Sequence, residues 1–266
     1  MKISATIITF NEESNIKDAC ESVAWADEIV VVDSESTDAT REIASAFGAR
    51  VIVNPWPGFG AQKQFAVDQA QHHWIFSLDA DERVSDDLRR SIEILKTRPE
   101  AEIADGFLVS RWTFYQQRWI RGGGWYPDRQ LRLFNRTKGS WKQRHIHESV
   151  SMITGARIRE LGGDLLHYTS PNAAHHHRVI GERYAPLAAQ QMFEEGRRTS
   201  IFAVASAGPS AFLRSFILKG GFRDGFAGFT IATFAAHHAF LKHLMLWEKQ
   251  VTTNHTDENT ENNARP

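Results

Sequence analysis

Trp74-Ile75-Phe76-Ser77-Leu78-Asp79-Ala80-Asp81-Glu82 is a short apolar run that ends in three carboxylates. A run of that length, bounded by polar residues, reads as a buried strand of a parallel sheet. Ligands of open α/β sheets bind beyond the carboxyl ends of the strands, which directs Asp79 and Asp81 toward that crevice. Two carboxylates so close repel each other unless a cation or ligand sits between them. The simplest occupant is a hard divalent metal holding phosphates.

Outward from this strand, the first hundred residues alternate strand and helix. Ala5 to Thr9 reads as a strand, and Asn11 to Val23 as a helix capped by Asn11 with Glu12 and Glu13 in its first turn. Ile29 to Val32 is a second strand, ending at Asp33; Ser36 to Phe47 is a helix stopped by Gly48. Val51 to Val53 is a third strand, followed by a loop over Pro55 to Gly60 and a helix from Ala61 to Gln71. Ser85 starts a helix with Leu88, Ile92 and Leu95 on one face. The order predicts an α/β fold, a mostly parallel Rossmann-like sheet with right-handed crossovers and flanking helices.

Beyond Gly106 the pattern changes. Phe107 to Val109 and Gln130 to Phe134 read as strands, separated by an aromatic, Arg- and Gly-rich loop. A helix over Asn172 to Glu195 carries Tyr184, Leu187, Ala188 and Gln191 at helical spacing. Ile201 to Trp247 interleaves phenylalanines with Arg214, Lys219, Arg223 and Lys242. Gly225 to Leu241 lacks charge but is shorter than the roughly 20 residues of a bilayer span. This C-terminal segment reads as amphipathic helices that lie on a membrane, pack in a homo-oligomer, or cover the sheet. The divisions predicted are 1–105 and 106–200 as two halves of one domain, 201–250 as the amphipathic segment, and 251–266 as a disordered tail.

Of the 266 residues, 42% are hydrophobic and 24% charged, which suits a globular chain with a real core. A net charge of -1 gives no global field to attract nucleic acid. The single cysteine, Cys20, rules out an intramolecular disulfide and fits a reducing compartment. Its helical spacing with Ile16, Ala19 and Val23 assigns it to packing. Met1-Lys2 runs directly into strand-like sequence, so no signal peptide is expected.

Three strand ends should converge: Thr9-Phe10-Asn11-Glu12-Glu13, Asp33-Ser34-Glu35-Ser36-Thr37-Asp38 and Asp79-Ala80-Asp81. Singly, each reads as a cap or turn; together they fit a nucleotide site. The ordered trio resembles the motifs of family 2 glycosyltransferases with the GT-A fold. That resemblance covers roughly residues 1–100, the nucleotide-sugar-binding half, and leaves 106–200 as the acceptor-binding half. It implies that Asp33 accepts hydrogen bonds from uracil and that Thr9, Asn11 and Glu12 line the nucleotide pocket. Asp79 would reach the ribose or base, and Asp81, with Asp79 as its neighbour, would hold Mg²⁺ or Mn²⁺ beside the diphosphate. Lys63 either approaches the phosphates or is a solvated helix residue.

Direct displacement needs a general base on the far face of the sugar. Glu148, in His147-Glu148-Ser149, resembles the position of that base in one subfamily, and Asp128 is the runner-up. The usual Glu-Asp and Gln-x-x-Arg-Trp segments are not present in that form. His147 and His167 either complete a metal shell or are buried hydrogen-bonded residues. His175-His176-His177 opens a helix, where three consecutive side chains cannot share one ion. Arg121, Arg129 and Arg132 are candidates to grip an anionic acceptor or pyrophosphate.

A closer resemblance, reaching to about Trp247, is to the subgroup that adds glucose to inner-core heptose of lipopolysaccharide. It is carried by Gly124-Trp125-Tyr126-Pro127-Asp128, Gln130 to Phe134, His147-Glu148, Leu166-His167-Tyr168 and Phe216 to Gly225. It implies an inverting enzyme using a UDP-sugar, and a lipid-linked saccharide acceptor. It also implies a cytoplasmic location, peripheral on the inner leaflet. Transfer to a polyprenyl phosphate or another surface polysaccharide is the nearest alternative. Two rivals stand outside the class: a non-catalytic nucleotide-sugar-binding protein, and a haloacid-dehalogenase-type phosphatase. Arg83 and the three strands before the motif speak against the phosphatase.

Overall fold

The computed structural model describes residues 1–142, 149–168 and 172–263, with side chains as far as Thr252. The elements in chain order are β1 (Ile3–Thr9), α1 (Ile16–Ser22), β2 (Glu28–Asp33), α2 (Thr40–Ala46), β3 (Arg50–Val53), α3 (Phe59–Gln69) and β4 (Trp74–Asp79). They continue with β5 (Glu82–Val84), α4 (Asp86–Lys96), β6 (Gly106–Tyr115), β7 (Arg118–Trp119), β8 (Asp128–Asn135), β9 (Gly139–Trp141), β10 (Val150–Met152) and β11 (Ile158–Tyr168). Then come α5 (Ala173–Val179), α6 (Ala185–Glu194), α7 (Ile201–Leu213) and α8 (Gly225–Asn263). The chain divides into two compact units: Met1–Phe114 with Tyr126–Thr169, and Tyr115–Trp125 with Ser170–Pro266.

In the first unit the main sheet runs β3-β2-β1-β4-β8-β6-β11-β5. Pairs β3-β2, β2-β1, β1-β4 and β6-β11 are parallel. β8 is antiparallel to both its neighbours, and β5 to β11, so the sheet is mixed. β1 and most of β4 are buried on both faces, which is why they read as continuous apolar runs. Ile16, Ala19 and Cys20 of α1 and Leu88, Ile92 and Leu95 of α4 cover one face; Ala66 and Val67 of α3 pack on the other. Cys20 is a core residue, and burial pushes its thiol up to about 11. Ser85 caps α4 by accepting from the Leu88 amide at 3.3 Å.

The β6-β11 ladder shifts register between Glu160 and Asp164. This irregularity brings Gly163 against the start of α4, where an added Cβ would lie 2.1 Å from the Leu88 nitrogen at a φ of +92°. Ser85 and Asp164 are joined there by two hydrogen bonds, 3.1 and 3.0 Å. Gly163→Ala must therefore move backbone against backbone. It is expected to cost at least ~2 kcal/mol, measurable in urea unfolding.

In the second unit α7 and α8 pack antiparallel. Thr199 and Gln250 exchange two hydrogen bonds, 2.7 and 3.1 Å, and Gly208 lies against Ala236 and Phe240. The stripe predicted over Asn172 to Glu195 is displaced. Ile180, Ala185, Ala189 and Met192 are buried, whereas Tyr184 and Leu187 are exposed. A π-turn over Ile180–Tyr184 widens one turn to five residues and rephases the helix beyond it. The expected divisions at 105 and 200 also shift. β6, β8 and β11 complete the N-terminal sheet, whereas 115–125 and α5–α6 group with the C-terminal helices. Helix α8 continues beyond Thr252, where the sequence predicts a disordered tail. Among the described residues Ile201–Leu218, which the sequence reading did not single out, is long and apolar enough to cross a membrane by length and composition.

Candidate active site

The strand register brings the three motifs to one edge. Thr9 pairs with Asp33, and Ile8 pairs with Asp79, so the carboxyl ends of β1, β2 and β4 are level. The two loops that follow β1 and β2 are then laced together. The Asn11 amide donates to Ser36 Oγ at 2.8 Å, and Asn11 Oδ1 accepts from the Thr37 amide at 2.8 Å. The Glu12 amide donates to Thr40 Oγ1 at 2.8 Å. Asn11 adopts φ 52°, a left-handed conformation that Asn tolerates, so it cannot begin a helix. Helix α1 accordingly starts at Ile16 and α2 at Thr40, later than the sequence predicts. Polar side chains that read as caps are spent between loops, the competition inherent to Asn, Ser and Thr.

Asp33 is fully buried and accepts from both the amide and the hydroxyl of Ser36. Thr9 is buried as well, and its hydroxyl has no partner among the described residues. Gln62, also fully buried, bridges Ser34 Oγ at 2.9 Å and Asn54, fixing β3 and α3 beside this edge.

Around Asp79 the protein supplies its own cations. Lys63 Nζ lies 2.9 Å from Asp79 Oδ1, and Arg132 Nη2 is 3.4 Å from Oδ2. Lys63 is only 3% exposed, far from a solvated helix residue, and its ammonium rests over the Trp141 ring. Arg132 also binds Glu82 Oε1 at 2.6 Å, and Arg111 joins Glu82 to Asp128 at 3.6 and 2.7 Å. Three cations thus face three carboxylates. Burial opposes ionisation of Asp79, but Lys63 and Arg132 outweigh it and hold the carboxyl below its ordinary range. Glu82, wholly buried, is pushed up by burial despite Arg132. It also accepts from the Asp79 amide at 2.9 Å, closing the turn that presents Asp81. Lys63 and Arg132 therefore relieve the repulsion expected at Asp79.

Asp81 is different. Its one described side-chain partner is His167, whose Nε2 is 3.3 Å away and whose Nδ1 meets Thr113 Oγ1 at 3.2 Å. Nearby Glu12 is pushed above its ordinary value, by burial first and then by the charge of Asp81. Neither Lys63 nor Arg132 pairs with Asp81, and Glu12 accepts from Asn15 at 2.7 Å, so two carboxylates here stand outside the buried network, an arrangement that suits a divalent cation. No group of three or more His, Cys, Asp or Glu that could hold a metal occurs among the described residues. Mg²⁺ is held by one or two carboxylates plus phosphate oxygens, and of the two aspartates Asp81 is the one not already paired with a lysine and an arginine.

The other candidates divide clearly. Asp128 is engaged at both oxygens, by Arg111 and by Gln130 at 2.7 Å. Arg129 pairs with Glu160 at 2.8 Å on the surface. The Arg121 amide, in the second unit, donates to Asp224. His176 stacks on Phe234 and bonds Tyr115, and His177 stacks on His237, so the histidine run packs the second unit. Glu148 and His147 lie outside the described residues. Arg111 escaped the sequence reading, as did the part Glu82 plays in holding Arg132 and the Asp79 amide. A charge inside the alternation Leu131-Arg132-Leu133 was the only available signal that an inward-facing cation served this edge.

A family profile described as "Glycosyl transferase family 2" matches residues 4–162. The chain is 32% identical over 263 residues to "Lipopolysaccharide core biosynthesis glycosyltransferase LpsC" of Rhizobium meliloti (strain 1021), covering 94% of this chain and 93% of that one. It is 31% identical to an uncharacterized glycosyltransferase of Rickettsia prowazekii (strain Madrid E), covering 91% and 85%. Among solved structures it is similar to S. aureus TarS 1-349 in complex with UDP-GlcNAc, with 13% identity, a TM-score of 0.48, and 95% and 92% coverage.

Proposed function

Because the chain belongs to glycosyltransferase family 2, we propose that it moves glucose from a UDP-sugar to a heptose of the lipopolysaccharide inner core, with inversion, at the cytoplasmic face of the membrane. The observation that carries this reading is the level convergence of Thr9, Asp33 and the Asp79-Ala80-Asp81 turn at one sheet edge. The LpsC relative supports the acceptor class.

A nucleoside diphosphate leaves poorly until its charge is neutralised. Mg²⁺ or Mn²⁺ held by Asp81 would supply that as a Lewis acid. The chain's own residues do the rest. The Asn11 and Glu12 loop and the Thr9 hydroxyl line the nucleotide side, and Asp33 reads the uracil imide once the Ser36 hydroxyl turns aside. Lys63 stands over Trp141 at the level of Asp79 and adds positive potential next to the diphosphate, while Asp79 holds it in place. Glu148 takes the proton from the acceptor hydroxyl.

The test is UDP release by purified protein over a panel of UDP-sugars, with and without Mn²⁺ and truncated, heptose-bearing lipopolysaccharide. Release should need metal, UDP-glucose and acceptor together. Glu148→Ala should lower kcat by about 10²–10⁴-fold. Asp128→Asn should leave kcat within about tenfold, because its carboxylate is already committed to Arg111 and Gln130. The reverse ranking would move the base to Asp128. Donor binding without turnover on any acceptor would leave a binding protein.

A further inference from the structure

We propose that the corner between α7 and α8 docks this protein on an anionic lipid surface, lying within the bilayer interface and not crossing it. The inference rests on the membrane location proposed above and assigns it a surface and a lipid charge, from observations of the second unit alone.

The corner presents a continuous apolar surface. Five phenyl rings form a chain of contacts: Phe212 meets Phe216 at 5.4 Å and Phe229 at 5.6 Å, Phe216 meets Phe222 at 6.5 Å, and Phe226 meets Phe229 at 6.3 Å. The outer rings remain in solvent, Phe222 51% and Phe226 76% exposed, and Leu218 of the same corner is 80% exposed. Contiguous exposure of this kind marks a docking face.

Charge selects the occupant. From Arg197 to Arg223 there are five Lys or Arg and no Asp or Glu. Arg214, Lys219 and Arg223 are exposed among the apolar residues, and the Arg223 guanidinium lies 5.8 Å from the Phe222 ring centroid. The acid that follows, Asp224, is buried, with its carboxylate turned to the amides of Arg121 and Gly122. Large apolar side chains bordered by cations are what an interface of anionic headgroups over acyl chains receives.

Ile201–Leu218 is long enough to span, but its neighbour opposes that. Gly208 lets α7 lie directly on α8, and Thr199 is pinned to Gln250. Taking α7 through the bilayer would draw in α8 with Lys242 and its histidines, an unfavourable transfer. Pro209 and Arg214 also interrupt the apolar stretch. A helix pair on the surface leaves the exposed Arg214, Lys219 and Arg223 free to meet headgroups.

The experiment is co-sedimentation of the full chain with two kinds of vesicle, one of phosphatidylethanolamine and phosphatidylglycerol, the other of phosphatidylcholine alone. Binding to the anionic vesicles should weaken at least about tenfold on the neutral vesicles or at ~0.5 M salt. The triple variant R214E/K219E/R223E should bind roughly a hundredfold more weakly. Leu218→Ser with Phe226→Ser should also reduce binding, and an unchanged melting temperature in both variants would show that the fold is intact. Equal binding to both vesicle types that survives alkaline carbonate would mean a spanning helix and overturn the proposal. Absence of vesicle binding, with self-association in sedimentation velocity, would assign the corner to a second copy and overturn it too.

Discussion

Asp81→Ala is expected to lower kcat/KM by on the order of 10³-fold and to abolish the response of activity to added Mn²⁺. The reason lies in the contrast between the two aspartates of the turn. Asp79 is already compensated, by Lys63 at 2.9 Å and Arg132 at 3.4 Å. Asp81 faces only His167 among described side chains, and its charge adds to that of Glu12. Removing Asp81 takes away the carboxylate suited to a cation but leaves the buried network whole, so the melting temperature should change little. Asp79→Ala should behave in the opposite way, because it strands a buried lysine and a buried arginine and destabilises the first unit. Isothermal titration with UDP and Mn²⁺ separates the two. Metal-dependent UDP binding should vanish in Asp81→Ala. Undiminished metal-dependent binding there would move the metal to Asp79.

The second large effect is on stability. Arg132 is 3% exposed and is shared between Asp79 and Glu82. Arg132→Met preserves much of the volume but leaves Glu82 to Arg111 and Asp79 to Lys63 alone. Breaking a buried ion network from one side costs about 3–5 kcal/mol, or roughly a 10 °C fall in Tm for a unit of this size. The control is Arg129→Met, which breaks the exposed pair with Glu160 and should cost under ~1 kcal/mol. Acid sharpens the difference. The cations hold the folded Asp79 below its ordinary range, so its pairing contributes stability above about pH 4, lost as pH falls through the folded value. With Arg132 gone that depression shrinks, and the acid-unfolding midpoint should rise. An unchanged midpoint and Tm would show that Asp79 and Glu82 do not depend on this arginine.

The N-terminal half was legible because its signals are local and repeated. Fully buried parallel strands have to be apolar runs, and crossovers have to carry one apolar face, as Leu88, Ile92 and Leu95 do on α4. Convergence of Thr9, Asp33 and Asp79 followed from strand direction alone. The second half was less legible. The π-turn at Ile180–Tyr184 leaves no mark in composition yet rotates the face of everything after it. Helix starts at Asn11 and Ser36 were misplaced because capping residues carry the same chemistry whether they bind their own helix or a neighbouring loop.

By itself, therefore, the sequence determined the strand–helix order, the sheet edge where the three motifs meet, and the basic, aromatic character of the C-terminal segment, while the reaction class came from the resemblance of those motifs to family 2 glycosyltransferases. The elements and their charge depend on residue type and local spacing, and the shared edge on the order of strands along the chain. Only the tertiary structure decided that Asp79 is engaged by Lys63 and Arg132, that Asp81 meets His167 alone among described side chains, that Asp128 is engaged, and that the phenylalanines at the α7–α8 corner face outward. The partners of Asp79 alone come from 16 and 53 residues away in the chain, and the free energy of a charge is set by its neighbours in space.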